Sequence, residues 1–117
     1  MPTDRQIDYI ELPAADLEQV KTFYSSVFGW TFQDYGPDYC AFSDGRLDGG
    51  FFRSQARASV AAGSALVILY ASDLEETERR VSENGGEIVK EIFSFPGGRR
   101  FHFTDPNGNE LAVWSEL

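Results

Sequence analysis

The sequence predicts an α+β fold built from two copies of one βαβββ module, and three observations support this. Asp16-Leu17-Glu18 recurs as Asp73-Leu74-Glu75, and Gly29 recurs as Gly86 at the same spacing. An extended apolar run precedes each Asp. Three short strand candidates, separated by turn residues, follow each predicted helix. The 117 residues therefore form one domain, with modules at about 5–53 and 65–117 and a linker at 54–64.

The first module begins with a strand over 7–12, and Asp16 marks the start of its helix. The Asp16 carboxylate can accept from the free amides of a first helical turn, and Gly29 supplies a C-terminal stop. Strand candidates follow at 30–34, 39–43 and 49–53. The apolar residues of the helix recur at helical spacing and bury one face: Leu17, Val20, Phe23, Tyr24, Val27 and Phe28.

The second module repeats this order, with a strand over 66–71, a helix from Leu74 to about Glu83 and strands at 87–93, 99–104 and 110–115. Residues 105–109 have hairpin-turn composition. A five-residue loop there pairs Thr104 with Glu110, His102 with Ala112 and Arg100 with Trp114. This register places four apolar side chains under the helices: Phe101, Phe103, Leu111 and Val113.

Composition narrows the function. A formal charge of −9 and a pI near 4.4 disfavour nucleic acid and anionic membranes as partners. Cys40 is the single cysteine, so no internal disulfide can form, and we expect it to be a small buried residue. No apolar stretch approaches the ~20 residues of a membrane span, and no leader pattern opens the chain, which predicts a cytoplasmic protein.

Three strings at these positions carry a resemblance to a known family: 16–18, 23–30 and 105–111, which read DLE, FYSSVFGW and DPNGNEL. Together they resemble the vicinal oxygen chelate superfamily, which includes glyoxalases, bleomycin-resistance proteins and extradiol dioxygenases. The resemblance covers essentially the whole chain. It implies a curved mixed sheet that forms a cup with helices outside, and a homodimer. In active members, His and Glu side chains hold a divalent metal at the floor of the cup.

Transferring the metal-ligand positions gives Tyr9, Leu66, Ala112 and one residue within 49–51, which reads GGF. Leu66 and Ala112 cannot bind a metal, and Tyr9 is at most an occasional phenolate ligand. Neighbouring His102, Glu11 and Glu110 would supply only two or three ligands of mixed geometry. We therefore expect no metal cofactor.

The resemblance and the strand parity together predict an aromatic, mostly apolar ligand site. Its predicted lining is Tyr9, Glu11, Leu66, Ile68, Tyr70, Arg100, His102, Ala112 and Trp114. Each member also has a structural interpretation, as cavity wall or as a satisfied polar group, and Glu11 is either solvated or paired with Arg100. In a metal-free enzyme, His102 would be the base, helped by Glu11 or Tyr9.

Three functions stay open at this point. The first is a metal-free binding module or diverged lyase-type protein that encloses an aromatic or amphipathic small molecule. The second is metal-dependent lyase, isomerase or dioxygenase activity, for which the fold is the only support. The third is a scaffold role.

Overall fold

The computed structural model describes residues 2–117, and its helices and strands follow the predicted order of two βαβββ modules. The first module comprises β1 (Tyr9–Ala14), α1 (Leu17–Phe28), β2 (Thr31–Asp34), β3 (Tyr39–Ser43) and β4 (Asp48–Arg53). The second comprises β5 (Val67–Tyr70), α2 (Leu74–Glu83), β6 (Glu87–Phe95), β7 (Gly98–Thr104) and β8 (Glu110–Glu116). The predicted fold class is confirmed.

Each module forms one four-stranded mixed sheet, with strand orders β1-β4-β3-β2 and β5-β8-β7-β6. In both sheets the first strand runs parallel to the last, and the other neighbours are antiparallel. Strands β7 and β8 pair Thr104 with Glu110, His102 with Ala112 and Arg100 with Trp114. The register predicted from the five-residue loop is therefore confirmed.

Two connections differ in detail from the predicted boundaries. Strand β6 continues past Phe93 to Phe95, because the tight turn that ends it lies at 96–97, where Gly97 has φ 103°. Residues 54–66 join the sheets without helix or strand, and Leu66 lies immediately before β5.

Both helices begin by the predicted chemistry. The side chain of Asp16 accepts from the amide of Gln19 at 3.2 Å, and that of Asp73 accepts from the amide of Glu76 at 3.1 Å. Gly29 ends α1 in the left-handed region, at φ 73°. Neither helix, nor any other among residues 2–117, is long and apolar enough to cross a membrane.

Helix α1 contributes to a core that both sheets share. Its Tyr24 ring lies 5.4 Å from Phe51 of the first sheet, and its Phe23 ring lies 5.9 Å from Phe103 of the second. Cys40 is fully buried in this core. The second sheet contributes the four side chains predicted to lie under the helices, all fully buried: Phe101, Phe103, Leu111 and Val113. Since one core serves both sheets, the modules stabilise each other.

The turn at 105–109 ties the two modules together through buried hydrogen bonds. Asp105 accepts from the hydroxyl of Tyr24 at 2.8 Å and from the amides of Asn107 and Asn109. Asn109 donates to the carbonyl of Pro13 in β1 and accepts from the amide of Ala58 in the connecting segment. The turn, which belongs to one of the three strings that carry the family resemblance, therefore links the two modules through buried hydrogen bonds.

Candidate functional site

Each sheet has a face turned away from the helices, called here its open face. Strand alternation places Tyr9 and Glu11 of β1 on the first open face, because Ile10 and Leu12 pack against the core. Pairing with β8 places Ile68 and Tyr70 on the second open face, together with four residues of the β7–β8 hairpin: Arg100, His102, Ala112 and Trp114. The predicted lining residues are thus distributed over two faces.

Two tyrosines and a carboxylate form the polar cluster of the first open face. The hydroxyls of Tyr9 and Tyr39 are hydrogen-bonded, and Tyr39 donates to Glu11 at 2.9 Å. Burial, followed by these two hydrogen bonds, raises the pKa of Tyr39. The Tyr39 side chain lies across Gly50, where any side chain would overlap it. Because its raised pKa keeps the Tyr39 phenol protonated at neutral pH, Tyr39 can position a ligand but supplies no strong base.

A buried histidine–carboxylate pair lies on the second open face. His102 is 2% exposed, and its Nδ1 lies 2.9 Å from the carboxylate of Glu110. Burial of Glu110 opposes its ionisation, but the hydrogen bonds from His102 and from the amide of Val60 outweigh burial and hold the pKa of Glu110 below its usual range. An ionised Glu110 can only accept a hydrogen bond, so Nδ1 of His102 carries the proton in this contact. Nε2 is the ring nitrogen that does not contact Glu110.

Arg100 lies two residues before His102 on the same face and is held by aromatic rings. Its guanidinium carbon lies 5.4 Å from the ring centre of Phe93 and 5.8 Å from that of Phe95. The Phe93 ring also lies 5.9 Å from the His102 ring. One aromatic residue of edge strand β6, Phe93, therefore lies beside both polar side chains.

A cavity of about 600 Å³ lies where the edge strands β1 and β5 approach each other. Residues of α1, both sheets and the 44–47 turn line it, and Arg46 and Asp44 are its charged members. Most of the wall is apolar or aromatic: Ile10, Leu12, Phe28, Trp30, Phe42, Leu47, Val67, Ile68, Leu69, Tyr70 and Trp114. This size and composition are typical of small-molecule sites.

The structure brings the predicted site residues together in three groups rather than one. Tyr9 and Glu11 meet Tyr39 on the first sheet, and His102 meets Glu110 on the second. Ile68, Tyr70 and Trp114 line the cavity. No hydrogen bond or ion pair among residues 2–117 joins Tyr9 or Glu11 to Arg100 or His102. The alternative in which Glu11 pairs with Arg100 is therefore wrong, because Tyr39 lies closer to Glu11 within its own sheet.

A sequence model of the glyoxalase/bleomycin resistance protein/dioxygenase superfamily matches residues 6–113. The chain belongs to this superfamily. The predicted resemblance is thereby confirmed.

Relatives within the superfamily support the assignment. A glyoxylase-like domain-containing protein of Didymella fabae is 30% identical over an alignment of 121 positions, which covers 92% of this chain and 93% of that protein. The fold is similar to fosfomycin resistance protein FosX of Listeria monocytogenes, with a TM-score of 0.80, 15% identity and coverage of 98% of this chain and 96% of that one. It is also similar to lactoylglutathione lyase of Agrobacterium tumefaciens, with a TM-score of 0.73, 23% identity and coverage of 97% and 95%. These two structures show a shared fold.

The residues at the metal positions of the superfamily do not fit a divalent ion. The side chains of Leu66, Ala112 and residues 49–51 carry no donor atom, and the Tyr9 hydroxyl is hydrogen-bonded to that of Tyr39. Across residues 2–117, no three His, Cys, Asp or Glu side chains converge. His102 and Glu110 supply two donors that are bound to each other.

Several residues of these groups are not identifiable as site residues from the sequence. Tyr39 was assigned only to a strand, and Trp30 and Phe42 only to strands of the first module. Trp30 follows Gly29 in the sequence, but Phe42 and Tyr39 meet Gly49 and Gly50 only through the pairing of β3 with β4, so the sequence carries no signal for them.

The pH dependence of stability tests the Glu110 environment. Because the pKa of Glu110 is lower in the folded than in the unfolded protein, its contribution is present above the ordinary glutamate pKa, about 4.3, and is lost as pH falls through the folded value. We expect the Tm difference between wild type and Glu110→Gln to be large at pH 6 and to shrink below pH 4. Thermal unfolding from pH 7 to pH 3 measures this, and the exposed Asp4→Asn variant should follow wild type throughout.

Proposed function

We propose that this protein binds an aromatic or amphipathic small molecule without a metal ion, in the cavity between β1 and β5. The observation that carries the proposal is the aromatic wall, in which Phe28, Trp30, Phe42, Tyr70 and Trp114 surround about 600 Å³. Drug-sized ligands occupy cavities of about 300–1,000 Å³ with such linings.

The wall has both rigid and adjustable parts. Trp30 stacks on Tyr24 at 4.5 Å and on Phe42 at 4.4 Å between ring centres, so this side is fixed by the core. Ile68 and Tyr70 on the opposite side are 45% and 52% exposed. A ligand that lies against this fixed side would also cover Ile68 and Tyr70, and burial of this apolar area supplies the driving force.

The polar residues near the cavity point to an amphipathic ligand. Asp44 lies in a turn where its carboxylate accepts from the amides of Arg46 and Leu47, at 2.8 and 2.7 Å. This fixes the backbone that carries Arg46 beside the apolar wall. A ligand with one polar end and an apolar body matches this arrangement.

Both tryptophans of the chain line the cavity, which provides a direct assay. We expect the uncharged dye N-phenyl-1-naphthylamine to bind saturably, one per chain, with a rise in its emission and quenching of tryptophan fluorescence. Ile68→Phe should weaken binding about tenfold, or about 1.4 kcal/mol, because the larger side chain occupies volume that the dye would fill. Val60→Phe, an equal change at an exposed residue of the connecting segment, should leave affinity unchanged.

The assay is run before and after treatment with a chelator. Equal affinity under both conditions supports metal-free binding. Loss of binding after chelation favours the metal-dependent lyase, isomerase or dioxygenase alternative, and unsaturable dye uptake, or an equal response of the two variants, removes the cavity as the site. The homodimer that the resemblance implies stays a prediction, measured by the molar mass in solution.

A further inference from the structure

Two buried nitrogens on the second open face lack a hydrogen-bond partner. Among the buried side-chain N and O atoms of residues 2–117, these are Nε of Arg100 and Nε2 of His102. They belong to residues two apart on β7, so their side chains leave the same face of the sheet. A buried polar group without a partner costs about 1–3 kcal/mol. Two such groups on adjacent same-face residues indicate a place that a ligand fills.

We propose that Arg100 and His102 bind the carboxylate of a small aromatic acid and that His102 gains a proton as the acid binds. The Nε–H of Arg100 is always a donor, whereas Nε2 of His102 becomes one when the ring is protonated. In that state Nδ1–H still donates to Glu110, and Nε2–H donates to a carboxylate oxygen. The two nitrogens then present two donors to one anion.

Charge balance explains the proton uptake. The ionisable groups around the His102 ring are Glu110 from β8, Arg100 from β7 and Lys90 opposite it on β6. Lys90 is exposed, so solvent screens its charge, and the buried part of the site is neutral when Arg100 and Glu110 are ionised and His102 is not. A bound carboxylate adds one negative charge in a site of low dielectric. Transfer of one proton from solvent to Nε2 restores neutrality.

The surroundings of Arg100 select an aromatic body for the acid. Phe93 and Phe95 both lie within cation–π distance of the guanidinium, and Trp114 lies 6.4 Å from Phe95. The Phe93 ring lies close to both side chains, so the acid must displace this ring to reach them. It is carried by an edge strand with register shifts on both sides of Lys90, which makes local movement of β6 less costly. The cavity wall shares Trp114 with this site but does not include Arg100 or His102, so the two carboxylate-binding nitrogens lie outside the dye-binding cavity.

Benzoate is the probe for this site. Its binding is followed by NMR of the His102 imidazole, the only histidine in the chain, and by calorimetry in two buffers that differ in ionisation enthalpy. We expect benzoate to shift the His102 resonances, to take up one proton per molecule bound at pH 8, and to bind more weakly as pH rises from 6 to 8.

A pair of neighbouring arginines supplies matched variants. Arg100→Gln should weaken benzoate binding about tenfold or more, because it removes a charged donor. Arg99→Gln removes the same charge from the neighbouring residue, whose side chain pairs with Glu75 at the surface, and should change affinity by less than about twofold. Leu47→Phe should bind benzoate like wild type, since Leu47 lies in the part of the cavity wall that the 44–47 turn of the first module contributes.

Three results would overturn the proposal: no shift of the His102 resonances, no proton uptake, or equal losses in the two arginine variants. His102→Gln should bind benzoate without proton uptake. If that variant does not fold, the pH dependence of benzoate binding by wild type gives the same decision.

Discussion

Replacing Asp105 with Ala should lower the free energy of unfolding by at least about 3 kcal/mol and the Tm by about 10 °C or more. Asp105 is 3% exposed and accepts from the Tyr24 hydroxyl, the amides of Asn107 and Asn109, and the Asn109 side chain. Alanine leaves all four donors without this acceptor in a region from which water is excluded. It also removes the Tyr24 hydrogen bond, one of the contacts between α1 and the β7–β8 turn.

Chemical and thermal unfolding measure this loss, with Asp44→Ala as the matched control. Asp44 also accepts from two backbone amides in a turn, but it is exposed, so water replaces it and the loss should stay below about 1 kcal/mol. Asp105→Asn should fall between these values, because it keeps one carbonyl oxygen in place. If Asp105→Ala lowers the free energy of unfolding no more than Asp44→Ala does, the buried hydrogen bonds of Asp105 contribute little to stability.

Local chemistry made most of the fold predictable. The capping Asp residues and Gly29 marked the helix ends, and the five-residue turn set the register from Thr104–Glu110 through Arg100–Trp114. These features act over a few residues, so the sequence records them directly. The end of β6 was missed because the apolar run and the turn at 96–97 are separated by two further residues that continue the strand.

The candidate sites were predictable only in part, because they depend on contacts between distant segments. Strand alternation places His102 and Arg100 on one face. The contact between His102 and Glu110 also depends on how far each side chain reaches along the hairpin, which alternation does not give. The Tyr39–Glu11 hydrogen bond needs β3 and β1 in one sheet with Gly50 between them. Parity gives the face of a side chain, but not the packing of two sheets around one helix, and that packing separates the predicted residues into three groups.

Substitution of the adjacent glycines in β4 provides the second large effect, and the two substitutions should differ widely in their cost to stability. A Cβ on Gly49 would overlap the carbonyl oxygen of Ile10 in the neighbouring strand and the ring of Phe42. The carbonyl is part of the β1–β4 pairing and Phe42 is buried, so neither can give way without moving the sheet. We expect Gly49→Ala to cost at least about 3 kcal/mol, at the upper end of overpacking effects, because backbone must shift.

Gly50→Ala is the matched test, since it adds the same methyl group one residue further on. Its Cβ would meet the hydroxyl end of Tyr39, a side chain on the open face that can swing toward solvent. We expect a cost below about 1 kcal/mol together with loss of the Tyr39–Glu11 hydrogen bond, visible as a lowered pKa of Tyr39 in an ultraviolet titration, because that bond is one cause of the raised value. Equal destabilisation by the two variants would mean that the strand tolerates no side chain on either face. The predicted difference instead identifies Gly49 as required for packing of β1 on β4, and Gly50 as the residue that lets two phenols and a carboxylate meet on the open face.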